Sequence, residues 1–152
     1  MHVLKKEVVV PFDIETVFEF FNRPENLQKV TPDMLNFSIM TPSPIQMHNG
    51  AVFDYQIKLL GAPMHWRSII TRYNPPYEFV DIQLKGPYKF WHHHHEFEEV
   101  EGGVLVRDTV TYEVGWGVIG WLLNALFIRR QLEWIFSKRD NVAELIQPKT
   151  EG

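Results

Sequence analysis

The sequence contains no cysteine. That excludes thiol nucleophiles, disulfide scaffolds and cysteine-ligated zinc, and it fits a reducing compartment. Positive charge is not in excess: 15 Lys and Arg stand against 19 Asp and Glu, for a formal net charge of −4. With no basic field to hold a phosphate backbone, nucleic acid is not an expected partner. Long apolar runs are missing too. The longest, Val118 to Ile128, is interrupted by Gly120 and Asn124 and is too short to cross a hydrocarbon core of roughly 30 Å as a helix. The opening MHVLKKEVVVPF has no signal-peptide anatomy, so the expectation is a cytoplasmic protein. Neither GxGxxG nor GxxxxGK[ST] occurs, and no cofactor is expected. Repeats, low-complexity linkers and composition shifts are absent. The reading is one domain over residues 1–147 and a disordered tail over 148–152.

Aromatic residues are abundant. Eleven Phe, five Trp and five Tyr make up 14% of 152 residues, more ring surface than a minimal core needs. A lined cavity would use the surplus, and a ring-rich core is the competing explanation.

The pattern along the chain is that of an α+β domain. His2 to Val10 reads as a strand stopped by Pro11. Asp13 can cap a helix whose Ile14, Val17, Phe18 and Phe21 recur at i, i+3, i+4, i+7. A short helical turn holds Leu27 and Val30. From residue 35 the period falls to two: strands over Leu35–Met40, Val52–Leu60, Met64–Tyr73, Tyr77–Lys85, Tyr88–Val100 and Val104–Val114, with Gly102-Gly103 as a hairpin turn. A helix of some 25 residues follows to Ile146. Its stripe is Trp121, Ala125, Ile128, Leu132, Ile135, Val142 and Ile146, with Arg139 in the same rhythm. The order β-α-α-β-β-β-β-β-β-α implies an antiparallel meander of about seven strands, curved around the long C-terminal helix.

Several segments are similar to a known family. Gly86-Pro87-Tyr88-Lys89-Phe90-Trp91-His92-His93-His94-His95-Glu96-Phe97 resembles the GPY..W.H.H.F segment of an uncharacterised ligand-binding branch of the START/SRPBCC superfamily. So do Asp108-x-Val110-x-Tyr112, Arg129-Arg130-Gln131-Leu132-Glu133-x-Ile135-Phe136, Trp66 before Ile70, and Phe79-Val80-Asp81-x-Gln83. The resemblance covers nearly the whole chain and implies the helix-grip fold. It implies function only broadly, because that superfamily spans lipid carriers, hormone receptors, polyketide aromatase/cyclases and chaperone co-factors. One departure is Trp116-Gly117, which stands where a Pro is expected before the last helix.

The four consecutive histidines carry the chemistry. On a strand, Trp91, His93, His95 and Phe97 share the face with the large rings; His92, His94, Glu96 and Glu98 share the other. Three roles compete for His93 and His95. They could chelate a metal at i, i+2, with further ligands from Asp81, Asp108 or Glu96, and surface chelation by His92 and His94 is a separate possibility; the expectation set here is no metal. They could act as general acid and base; His93, His95 and Asp108 are then the catalytic candidates. Or they could orient the polar end of a ligand, the reading preferred here. Asp108 faces inward by alternation, Asp81 less clearly, and both need partners; His93, His95, Arg67, Arg72 and Gln83 are the candidates.

The expected function is to bind or carry a small, largely apolar molecule, lipid-, polyketide- or aromatic-like, with one polar end. Phe53, Tyr55, Trp66, Ser68, Ile70, Asp81, Gln83, Trp91, His93, His95, Phe97, Asp108 and Tyr112 are the candidate binding residues. The alternative is a cyclase/dehydratase-like enzyme without metal or nucleotide. The last helix has a second apolar side (Leu123, Leu126, Phe127, Trp134). Burial beneath the 22–48 segment is expected, with a homodimer contact or a membrane contact flanked by Arg129, Arg130, Lys138 and Arg139 as alternatives.

Overall fold

Two cis X-Pro bonds, Ser43-Pro44 and Pro75-Pro76, punctuate the chain in a computed structural model that describes residues 1–31, 35–59 and 62–146. The expected tail, 148–152, lies outside the described residues. The β-rich N-terminal run forms β1 (His2–Val10), and Pro11 ends it. Asp13 then caps α1 (Ile14–Phe21): its carboxylate accepts the Thr16 N–H at 3.2 Å and the Thr16 hydroxyl at 2.6 Å. Ile14, Val17, Phe18 and Phe20 are buried, and Phe21 is half-buried. A 3₁₀ turn over Pro24–Val30 follows.

Six further strands complete the sheet: β2 (Ser38–Ile39), β3 (Val52–Leu59), β4 (Ala62–Asn74), β5 (Glu78–Lys85), β6 (Phe90–Val100) and β7 (Gly103–Glu113). All seven are antiparallel in the order β1-β7-β6-β5-β4-β3-β2. The expected strand Leu35–Met40 shrinks to two residues. Asn36 adopts φ 45°, which breaks the extended run and turns Leu35 and Phe37 into the core. The hairpin at Gly102-Gly103 is tight. A Cβ on Gly103 would lie 2.0 Å from the Val10 carbonyl oxygen, so only glycine fits where β1 leaves the sheet.

The C-terminal helical stretch is continuous but not uniform. It comprises α2 (Gly117–Leu123), a π-helical turn (Asn124–Ile128), α3 (Arg129–Ser137), a 3₁₀ turn (Lys138–Asn141) and α4 (Val142–Leu145). The π turn inserts one residue and shifts the phase. Beyond it most of the expected stripe holds: Leu132, Arg139, Val142 and Ile146 are buried, while Ile135 is only half-buried and its neighbour Phe136 is buried instead. Before it the stripe is displaced by one. Gly120 and Asn124 face inward, while Trp121 is 61% exposed and Ala125 is also exposed. The cause is a polar contact: the Tyr112 hydroxyl donates to Asn124 Oδ1 at 2.6 Å, and the Asn124 amide reaches His2 Nδ1 at 3.2 Å. The expected burial of the second apolar side is also overturned. Leu126, Phe127 (61%) and Trp134 are exposed, with Trp116, Val118 and Ile119 continuing the patch. The 22–48 segment packs instead towards the sheet interior, through Val30, Leu35 and Phe37.

Buried residues fall into two clusters. One gathers Val10, Phe18, Phe79 and Phe97 under α1; the other gathers Trp66, Trp91, Tyr112, Leu132 and Phe136 under α3. The candidate site lies where they meet.

Candidate functional site

A cavity of about 120 Å³ lies between the concave face of β3–β6 and α3. Phe53, Tyr55, Trp66, Ser68, Asp81, Trp91, His93 and His95, eight of the thirteen expected residues, line it. Its small size against the roughly 300–1,000 Å³ of drug-sized sites has a visible cause. Tyr55 stacks on Trp66 at 5.7 Å and 15°, and Trp66 meets Trp91 edge-on at 5.0 Å, so the surplus rings fill much of the space between sheet and helix.

Five expected residues stand elsewhere. Gln83 is not free for a ligand: its Nε2 donates to the Tyr88 carbonyl at 2.7 Å and its Oε1 accepts the Tyr88 N–H at 3.1 Å. It pins the 86–89 turn. Ile70 and Phe97 belong to the cluster under α1, where Phe18 wedges edge-on against Phe97 at 5.3 Å. Tyr112 is committed to Asn124. Asp108 lies behind His93, one layer removed from the cavity.

Alternation along β6 places the histidines as expected. His93 and His95 are buried, while His94 on the outer face meets Glu78 at 2.9 Å. The orientation of Asp81 needed the tertiary structure. A register shift in β4 between Ile70 and Arg72 pairs Ile70 with Asp81 and Arg72 with Val80. Asp81 lies across from His93 in the unbroken β5–β6 ladder, on the same face as Phe79, and points into the cavity; the β4 shift instead turns Tyr73 to the side of Phe79.

The floor is one connected network. Asp108 Oδ1 accepts His93 Nε2–H at 2.8 Å, and Asp108 Oδ2 accepts from Arg139 Nε at 3.3 Å. His95 Nε2 is 2.6 Å from Asp81 Oδ2, and His93 Nδ1 lies 3.8 Å from the same oxygen. The two imidazoles stack at 3.6 Å, and Phe79 covers His95 at 4.1 Å. Arg139, the main partner of Asp108, was not among its expected partners; Arg67 and Arg72 point outward to Asp54 and Glu78. The Arg139 guanidinium sits over the rings of Phe136 (5.2 Å) and Phe21 (5.6 Å), which replace water around it. The sequence clue was its place in the buried rhythm of the last helix.

Burial and charge settle the protonation states. Burial pushes Asp108 up, but Arg139 and the His93 hydrogen bond outweigh it and hold the carboxyl well below the ordinary range. Burial lowers His93 and takes His95 down to about 3, so both rings are neutral. Asp81 has no cation of its own, and burial raises it to about 6. Two buried polar atoms at the site have no partner: Trp66 Nε1 and His95 Nδ1. The cavity wall also includes residues the sequence reading passed over, notably Phe37, Tyr88, Leu132 and Phe136.

An apolar chamber with a polar His–Asp floor, enclosed by a curved sheet and a C-terminal helix, defines a helix-grip protein. The chain belongs to the family described as "Polyketide cyclase / dehydrase and lipid transport", which matches residues 10–135. Among solved structures it is similar to TTHA0849 from Thermus thermophilus (TM-score 0.75, 16% identity, 95% of this chain and 97% of that one). It is also similar to the di-domain ARO/CYC StfQ from the steffimycin biosynthetic pathway (TM-score 0.72, 16% identity, 95% of this chain and 50% of that one). A third similar structure is Ara h 8.0201 (TM-score 0.60, 13% identity, 93% and 97%). Curated protein sequences returned no match. Among the described residues, no helix is long and apolar enough to cross a membrane.

Proposed function

We propose that the protein binds a compact, largely apolar molecule carrying one polar acceptor, with its ring in the cavity and its acceptor on the Trp66 indole N–H in the cavity wall. The observation that carries this reading is the Trp66 indole N–H, buried in the cavity wall with no acceptor. A buried donor left unpaired costs about 1–3 kcal/mol, which an arriving carbonyl or hydroxyl oxygen would recover. The cavity volume favours a ring-sized group over a long acyl chain. The test compares toluene with acetophenone, followed by ligand-observed NMR. Both should bind, acetophenone more tightly. Trp66→Phe should weaken acetophenone about five- to tenfold, one hydrogen bond's worth, and leave toluene unchanged. Failure of both to bind overturns the reading.

A second reading is supported by the His93–Asp108 pair. Asp108 holds the proton on His93 Nε2, which leaves Nδ1 as a base on the cavity side, the arrangement by which a carboxylate orients a catalytic imidazole. This is compatible with cyclase- or dehydratase-like proton transfer on a bound polyketide or aromatic substrate. Turnover that His93→Gln abolishes, with ring binding retained, would establish it.

A further inference from the structure

We propose that Asp81 Oδ2, His93 Nδ1 and His95 Nε2 form a three-ligand site for a divalent first-row transition ion, with its remaining position open to the cavity. The three side chains each offer one ligand atom, all within 4.8 Å of one another. A tetrahedral ion at roughly 2.0–2.2 Å from each ligand sets its ligand atoms roughly 3.3 Å apart. Asp81 Oδ2 is 2.6 Å from one imidazole nitrogen and 3.8 Å from the other. An ion between them therefore needs the carboxylate oxygen to shift by about 0.5–0.7 Å and the stacked imidazoles, 3.6 Å and 25° apart, to splay until both lone pairs meet the ion.

The surroundings are those a metal site requires. A ligating imidazole donates its other N–H to a carboxylate or carbonyl, which fixes the tautomer. His93 already does so: its Nε2–H is given to Asp108 Oδ1, so the lone pair on Nδ1 faces Asp81. His95 is the telling case. With its Nε2 proton given to Asp81, its Nδ1 is a buried acceptor with no donor. Binding an ion through Nε2 moves the proton to Nδ1. That N–H then faces Asp108 Oδ1, now 3.5 Å away, and the orphaned His95 Nδ1 is satisfied. Asp108 thus becomes the outer partner of both imidazoles, and Arg139 holds it as a carboxylate. Charge points the same way. Two carboxylates, the buried Asp108 and the half-buried Asp81, face one guanidinium, and a cation supplies what is missing. Two nitrogens and one oxygen suit Zn²⁺, Co²⁺, Fe²⁺ or Ni²⁺ better than Ca²⁺ or Mg²⁺.

The outer-face histidines must be removed from the measurement, because His92 and His94 sit at the same spacing and His94 has Glu78 beside it. The test uses untagged, chelator-stripped H92Q/H94Q protein, titrated with Co²⁺ by visible absorption and with Zn²⁺ by calorimetry. One equivalent should bind, with the intense d–d bands of a low-coordinate cobalt site, and adding acetophenone should shift them. Asp81→Asn and His95→Gln in that background should each weaken binding at least tenfold, with melting curves confirming folded protein. Absence of saturable uptake in the H92Q/H94Q protein overturns the proposal, as does uptake that neither ligand variant changes. Ring binding without metal would leave the cavity reading standing alone; metal without ring binding would do the reverse.

Discussion

Replacing Arg139 by Met tests the electrostatics of the floor. Methionine keeps the packing against Phe21 and Phe136 and removes the cation beside Asp108, which is 2% exposed. Breaking a buried ion pair from one side costs about 3–5 kcal/mol. For a chain of this size that corresponds to a fall in Tm of roughly 10 °C. The pH dependence carries the sharper signature. In the wild type Asp108 titrates below its ordinary value. Its contribution is therefore complete above about pH 4, is lost only as pH falls further, and is flat between pH 5 and 8. Without the guanidinium, burial raises the folded-state value above the unfolded one. The variant then loses stability as pH rises past about 4, so its deficit should be larger at pH 7 than at pH 5. Urea denaturation of both proteins in chelator-treated buffer measures this. D108N/R139M should recover much of the loss, because an amide oxygen still accepts the His93 N–H and no unpaired charge remains at position 108. A deficit below about 1 kcal/mol at pH 7, the range of an exposed pair, would refute the reasoning. So would an equal deficit at pH 5 and pH 7.

Three other outcomes are expected. Gly120→Ala places a Cβ 1.5 Å from the Gly115 carbonyl oxygen, so the start of the helix must shift; thermal melting should show a loss of about 2 kcal/mol or more, the scale of overpacking at a site that cannot yield. Asn124→Leu leaves the buried Tyr112 hydroxyl without its 2.6 Å acceptor and should cost about 1–3 kcal/mol in denaturant titrations; an unchanged midpoint would mean that another group takes the hydroxyl. Trp121→Gln and Phe127→Gln, each 61% exposed, should alter stability by no more than about 0.5 kcal/mol while raising solubility, and a large loss of stability would show that this face is covered.

Much of the scaffold was readable because its signals are local. Asp13 followed by an apolar helical face, the two-residue rhythm from Val52 onward and the Gly102-Gly103 turn each reflect interactions within a few residues. Strand alternation likewise separated His93 and His95 from His92 and His94 with no knowledge of neighbouring strands. The errors arose where the partner lay far along the chain or the contact depended on a turn's shape. The stripe of the last helix misses its first two members because Tyr112 and His2 draw Asn124 inward across the π turn. Gln83 is a plausible ligand contact by residue type, but the 86–89 turn claims both ends of its amide.

Periodicity and turn chemistry in the sequence alone therefore determined an antiparallel sheet closed by a C-terminal helix, with an inward-facing pair of imidazoles. Those properties follow from how one residue's backbone constrains its near neighbours. Tertiary structure decided what the imidazoles meet. The pairing of β5 with β6 sets Asp81 against His93 in the cavity, the helix phase brings Arg139 to Asp108 over 31 residues of chain, and the packed rings of Tyr55, Trp66 and Trp91 shrink a roomy pocket to a ring-sized one. Charge pairing and packing act through space, so their outcome depends on where distant segments come to rest.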